Sequence, residues 1–338
     1  MAGKTSELQT VDLDEKSLAI AVAEMLSADA GRQVHVREIS RQRSPFATLF
    51  PAEVLSVFLG DGSEIRLFLK HLGAEQPEQP DKHRRDREVL IYQTLLRDQR
   101  LPIPHFYGSR YNAQTARHEI YLEYVEAWPL KYHHLEHWFT AAKRLADFHA
   151  HFASRAEFLR NCDFLLHLDE NYFTAWAQRA GTALASQSAE LTGRLEEIVA
   201  HYTQVAQLLT DQPPTLVHND LAPKNVIADP THSPTRICLV DWEMAGIGCG
   251  LLDLVHLKYG LQPDQDEQMV AAYRSGLRMT NLLPDDDREF ARVLAACELH
   301  KTLYRVAHSP DWHLPMTTLA QWVTDAEEFL RQIGGGDA

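Results

Sequence analysis

Apolar and polar positions follow one rhythm in the first third of this chain and another in the rest, and the rhythm changes near Trp128-Pro129. After a polar start, Leu18 to Leu26 carries apolar residues at helical spacing and stops close to Gly31. Val34 to Ser40, Glu53 to Leu59 and Glu64 to Lys70 read as strands, the last two joined across Gly60-Asp61-Gly62-Ser63, a strong hairpin signal. Gly73 to Asp81, rich in Pro, Gln and Glu, reads as a loop. Lys82 to Arg97 reads as a helix, and Tyr107 to Tyr111 and His118 to Tyr124 as two more strands. An α+β protein follows, whose first lobe, residues 1–126, holds five antiparallel strands and a helix.

From residue 127 to 338 helical periodicity dominates: Leu135 to Phe152, Tyr172 to Arg179, Glu190 to Leu209, Glu267 to Leu277, Arg288 to Val306 and Met316 to Ile333. Thr215 to Asp241 breaks it with short β-type runs at Leu216-Val217, Val226-Ile227 and Arg236 to Val240. Gly246-Ile247-Gly248-Cys249-Gly250 reads as a turn, since Leu251 stands where a dinucleotide fingerprint needs its third glycine. The 338 residues carry a net charge of −14, which removes the driving force for generic binding to nucleic acid or anionic membranes. Four cysteines without paired spacing favour a reducing compartment, and no apolar stretch suits a leader or a membrane helix. The expectation is a cytoplasmic protein with neither a nucleic-acid nor a membrane partner.

The informative string is Leu216-Val-His218-Asn-Asp220-Leu-Ala-Pro-Lys-Asn225, followed after a β-type run by Asp241-Trp-Glu243. It fits the catalytic-loop pattern H-x-D-L-x-x-x-N of kinases together with a metal-binding Asp at a strand end. Phosphoryl transfer needs a carboxylate to orient the attacking hydroxyl and a divalent cation to neutralise the triphosphate. Asp220 suits the first task. The Asn225 amide and Asp241 carboxylate are hard oxygen donors of the kind that hold Mg²⁺. Glu243 is either a further metal ligand or a cap on the turn after the strand.

Upstream, the same chemistry asks for a lysine on a strand and an acidic partner on the next helix. Lys70 ends the strand Glu64 to Lys70, and Glu88 follows on the predicted helix, with Asp86 two residues earlier as the alternative partner. No P-loop string G-x-x-x-x-G-K-[ST] occurs.

On His218, Asp220, Asn225, Asp241 and Glu243 the chain resembles the aminoglycoside phosphotransferase and choline kinase family of the protein-kinase-like superfamily. The resemblance implies a bilobal fold: a nucleotide-binding N-lobe over residues 1–126, and a mainly helical C-lobe over 127–338 with catalytic loop, metal strand and acceptor site. It further implies ATP (GTP being possible) with Mg²⁺, an adenine-reading linker using the backbone of Glu123 and Val125, and support of the catalytic loop by His218 and Asp253. His149, in Leu145-Ala-Asp-Phe-His149, resembles a structural histidine of that family. One departure is plain: Arg43 to Pro51, where a glycine-rich phosphate loop belongs, has no glycine. Ser44 and Thr48 are the candidates there to cover the phosphates.

Glu243 to Asp253 is too short for the activation segment of a regulated protein kinase, whereas His149 to His218 is a long, mainly helical stretch, where the resemblance implies an acceptor site. The expected reaction is transfer of a γ-phosphoryl group to a hydroxyl of a small molecule, aminoglycoside-like or another hydroxylated metabolite or antibiotic. The acidic runs Asp264 to Glu267 and Asp285 to Asp287 are either solvated helix starts or an attraction for a cationic acceptor. Two alternatives stand beside this reading: a kinase of Ser or Thr in a dedicated peptide, and a nucleotide-binding pseudokinase scaffold. The oligomeric state is not legible.

Overall fold

The computed structural model describes residues 15–44, 50–73, 84–98, 100–113, 117–277, 280–312 and 314–334. The chain divides into two compact units, Met1–Ala127 with Cys238–Glu243, and Trp128–Ile237 with Met244–Ala338.

In the first unit, helix α1 (Glu15–Ala30) buries Leu18, Val22 and Leu26, one residue per turn along a single stripe. Five strands follow: β1 (Val36–Arg43), β2 (Ala52–Leu59), β3 (Glu64–Leu72), β4 (Phe106–Asn112) and β5 (Arg117–Glu123), with helix α2 (Arg87–Thr94) between β3 and β4. They form one sheet in the order β1-β2-β3-β5-β4, with every pairing antiparallel. The stripe of α1 closes over Leu55, Val57, Leu67, Leu69 and Tyr121 from the three middle strands. Each such side chain contributes about 1.5–3 kcal/mol by leaving water, so the sheet is held chiefly from this face. Lys70 lies on the central strand, opposite Ala52 and Ile120. Beside it the fully buried His71 ties β2 to β3 through Glu53 Oε1 at 3.2 Å and faces Glu119 of β5 at 3.7 Å. Burial opposes ionisation of Glu53, but hydrogen bonds from His71 and Arg41 outweigh it and bring its pKa down to about 2. The helix expected over Lys82 to Arg97 is regular only from Arg87 to Thr94, because Leu95 and Leu96 both donate to the Ile91 carbonyl and close it early.

The second unit contains β6 (Trp128–Pro129), α3 (Leu135–Ala153), α4 (Ala156–Arg160), β7 (Leu166–His167), α5 (Glu170–Ala185), α6 (Ala189–Thr210), β8 (Pro214–Val217) and β9 (Val226–Asp229). The strand β10 (Arg236–Leu239) starts in this unit and carries the chain back into the first. Next come β11 (Gly246–Cys249), α7 (Leu251–Leu257), α8 (Pro263–Leu277), α9 (Asp287–Trp312) and α10 (Met316–Ile333). α9 packs against α5, α7 and α10, and α3 against α8.

The segment expected to be a turn at Gly246 is instead β11, the middle strand of a sheet in the order β7-β11-β8. Glycine is needed there for proximity: a Cβ on Gly246 would stand 2.6 Å from the Leu166 carbonyl oxygen. All four cysteines are free and buried. Among the described residues no helix is long and apolar enough to cross a membrane.

Candidate active site

In the first unit the sequence-selected charges come together. The Lys70 ammonium lies 2.6 Å from Glu88 Oε2 and 2.6 Å from Asp241 Oδ1. Burial alone would lower the lysine, but Asp241 and then Glu88 raise it further, and it stays charged well above its ordinary range. Asp86, the alternative partner, is instead taken by Arg84 at 2.8 Å. Glu88 also accepts from the Trp242 amide at 3.4 Å, linking α2 to the chain just past β10. Asp241 has φ 72°, a left-handed conformation that Asp tolerates better than most residues, and this holds its carboxylate toward Lys70. Glu243 follows one residue after Trp242; Arg85 Nη1 approaches its carboxylate at 3.6 Å and Arg87 donates to its carbonyl at 2.7 Å.

In the second unit the loop after β8 is fixed from beneath by Asp253, fully buried on α7. Its Oδ2 accepts from the His218 amide at 2.7 Å and its Oδ1 from the Asn219 amide at 2.8 Å. His149 Nε2 lies 3.2 Å from the same Oδ2, and its Nδ1 meets the Tyr273 hydroxyl at 2.7 Å. Gly250 makes this approach possible, since a Cβ there would stand 2.8 Å from His149 Nδ1. Asn219, at φ 63°, turns the chain sharply into Asp220 and gives its side-chain amide to Tyr172 of α5 at 2.9 Å. The Asp220 amide in turn donates to His218 Nδ1 at 3.3 Å. Asn225 Nδ2 donates to the Asp220 carbonyl at 2.8 Å, which directs its Oδ1 the opposite way. The loop therefore delivers a half-exposed carboxylate and a hard amide oxygen from a backbone held by hydrogen bonds on its buried side.

The remaining candidates belong to the first unit. Glu123 ends β5, donating its amide to the His105 carbonyl at 2.8 Å and accepting from the His105 amide at 3.0 Å, and Val125 is buried two residues later. Ser44 is buried past the end of β1, its amide bonded to the Ala52 carbonyl at 2.8 Å. Thr48, and most of the glycine-free segment around it, lies outside the described residues, as do residues 74–81 of the expected loop.

Two side chains that sequence reasoning missed stand next to Asp220. His256 Nδ1 lies 3.9 Å from Asp220 Oδ1, and the buried Lys301 Nζ lies 2.8 Å from that imidazole nitrogen. Burial and then Lys301 and Arg305 push His256 well below its ordinary range, so the ring is neutral. Burial also lowers Lys301, to about 7, against the pull of Asp220. The only signal in the sequence was a pair of polar residues interrupting apolar helical faces.

Comparison with known proteins agrees with this architecture. Residues 50–294 match the model of the phosphotransferase enzyme family. No curated protein matches the chain in sequence. Among solved structures it is similar to an aminoglycoside phosphotransferase from Alicyclobacillus acidocaldarius, with TM-score 0.54 and 15% identity over 97% of this chain and 96% of that one. The choline kinase LicA from Streptococcus pneumoniae is similar with TM-score 0.53 and 14% identity over 95% and 100% of the two chains, and LicA is also known in complex with AMP. A variant of aminoglycoside 2'-phosphotransferase-IIIa in complex with GDP gives TM-score 0.53 and 13% identity, over 95% and 100%. These likenesses show the bilobal kinase-like fold. The match of the family model over well more than half the chain says more: this protein belongs to the phosphotransferase enzyme family and is a small-molecule phosphotransferase acting on hydroxyl groups.

Proposed function

We propose that the chain transfers the γ-phosphoryl group of ATP, with Mg²⁺, to an alcohol hydroxyl. The observation that carries the reading is the Lys70 ammonium kept charged between Glu88 and Asp241, a buried cation poised to meet phosphate oxygens. Similar proteins captured with AMP and with GDP support a nucleotide donor and keep GTP as an alternative to ATP. In this reading Glu123 and Val125 offer backbone groups to the base, and Ser44 and Thr48 hydroxyls to the phosphates. The oxygen donors Asn225 Oδ1 and Asp241 suit a hard divalent cation, and Mg²⁺ held by them would supply charge neutralisation at the phosphates. Glu243, with Arg85 beside its carboxylate and Arg87 on its carbonyl, is better suited to anchoring the turn than to metal binding.

Asp220 carries the acceptor chemistry. Its carboxylate orients the attacking hydroxyl and takes its proton as the phosphoryl group arrives, while Asp253 keeps the loop from moving under it. Asp220→Asn preserves the shape and removes the base. Turnover should fall by about 10²–10⁴ with Mg-ATP affinity within a factor of a few, measured by product formation and calorimetry. Unchanged turnover would sink the assignment.

A further inference from the structure

The charge around Asp220 has the wrong sign for a cationic acceptor. Lys224 Nζ lies 3.9 Å from Asp220 Oδ2, and Lys301 reaches Asp220 through the neutral His256. One turn further along α9, the Arg305 guanidinium lies 3.8 Å over the ring of the exposed Tyr259, and Lys301 lies 5.1 Å over the ring of Tyr304. Among the described residues neither Lys301 nor Arg305 has a carboxylate in ion-pair contact. Other buried cations of this unit are paired: Lys258, two residues past His256, binds Asp266 at 2.5 Å and also Glu298.

Three carboxylates of the acidic runs, the alternative attraction for an amine, are taken up by the fold. Asp266 belongs to Lys258, Asp287 pairs with Arg274 at 2.8 Å, and Asp286 accepts from the Glu289 amide at 3.0 Å at the start of α9. In a chain of net charge −14, Lys224 thus faces the candidate base directly and Lys301 stands behind it through His256, with Arg305 one turn further along α9.

Resting on the phosphotransferase reading above, we propose that the acceptor is an anionic alcohol, a hydroxyl compound bearing a carboxylate or phosphate that Lys301 and Arg305 hold while Asp220 engages the hydroxyl. A buried cation whose nearest hydrogen-bond partner is a neutral imidazole lacks a counter-charge, and a ligand anion supplies it. The groups facing Lys301 are His256 and Asp253 from α7, Asp220 and Lys224 from the catalytic loop, and His300, Tyr304 and Arg305 from its own helix. Because burial leaves this lysine titrating near neutrality, seating the anion charges it, and binding takes up a proton.

The test loads the full chain with Mg²⁺ and a non-hydrolysable ATP analogue, then titrates glycerate, mandelate and glycerol 3-phosphate, and separately choline, ethanolamine and kanamycin, by calorimetry in two buffers of different ionisation heat. With Mg-ATP in place of the analogue, mass spectrometry reads the products. At least one anion should bind with proton uptake near pH 8, at least tenfold more weakly in Lys301→Met and Arg305→Met, with partial recovery in Lys301→Arg. Carboxylate and phosphate probes distinguish the two forms of the anion. Binding or phosphorylation of the amines, failure of every anion to bind, or anion affinity indifferent to the substitutions would each overturn the proposal. Failure of the nucleotide itself to bind would instead strike at the phosphotransferase mechanism.

Discussion

Lys70 and Lys301 are both buried lysines, one in each unit, and they are held in opposite ways. Lys70 sits between two carboxylates and is raised; Lys301 faces a neutral ring and falls to about 7. Burial pushes both down, so it is the partner that decides the sign. The first unit keeps a permanent cation, which suits a polyphosphate that is always highly charged. In the second unit the lysine's charge depends on what arrives, which makes it a device for selection. A carboxylate pair stabilises its lysine in the resting protein, whereas a lysine bonded to a neutral ring keeps its strongest interaction for a ligand.

The comparison breaks most visibly at Lys70. Lys70→Met should lower kcat/KM by about 10²–10³ and leave Glu88 and Asp241 facing each other uncompensated, a cost of about 3–5 kcal/mol to stability. Steady-state kinetics and thermal melts check the two effects, and an equally stable variant would show that the pair is not the constraint described. Asp253→Asn comes next: one acceptor oxygen is lost beneath the His218 and Asn219 amides, so kcat should fall more than nucleotide affinity and stability should drop by about 1–3 kcal/mol. A loss confined to nucleotide binding would contradict its place under the loop.

The smallest effect has the opposite direction. The folded pKa of Lys301, about 7, lies below its ordinary value of 10.5, so between these values the unfolded chain binds a proton that the native chain does not. Stability therefore rises with pH across that window, and the cost of burying the lysine is full below it. Lys301→Met should stabilise the protein by about 1–3 kcal/mol at pH 6 and progressively less toward pH 10, read from thermal melts at several pH values. A gain independent of pH would mean that packing, not charge, is responsible.

Much of this was legible in the chain, and the legible part has a common physical character. Local rules wrote it: the stripe Leu18, Val22, Leu26, the hairpin at Gly60 to Ser63, and the spacing from His218 to Asn225 each concern neighbours in sequence. Glu88 rather than Asp86 beside Lys70 depended on which side of a short helix faces the sheet, a point two residues of uncertainty blur. Gly246 to Cys249 reads as a turn because glycine signals turns locally, while in the fold it lets a strand lie close to Leu166. The His256 and Lys301 pair was invisible for the same reason: 45 residues separate partners that only the packing of α7 on α9 brings together.

The strand β11 also bears on control. In regulated kinases the stretch after the metal-binding aspartate is slack chain that a modification can order or release. Here the stretch after Asp241 runs at once into β11, hydrogen-bonded on one side to β7 and on the other to β8, the strand that leads into Asp220. Loosening it would unzip the floor beneath the base.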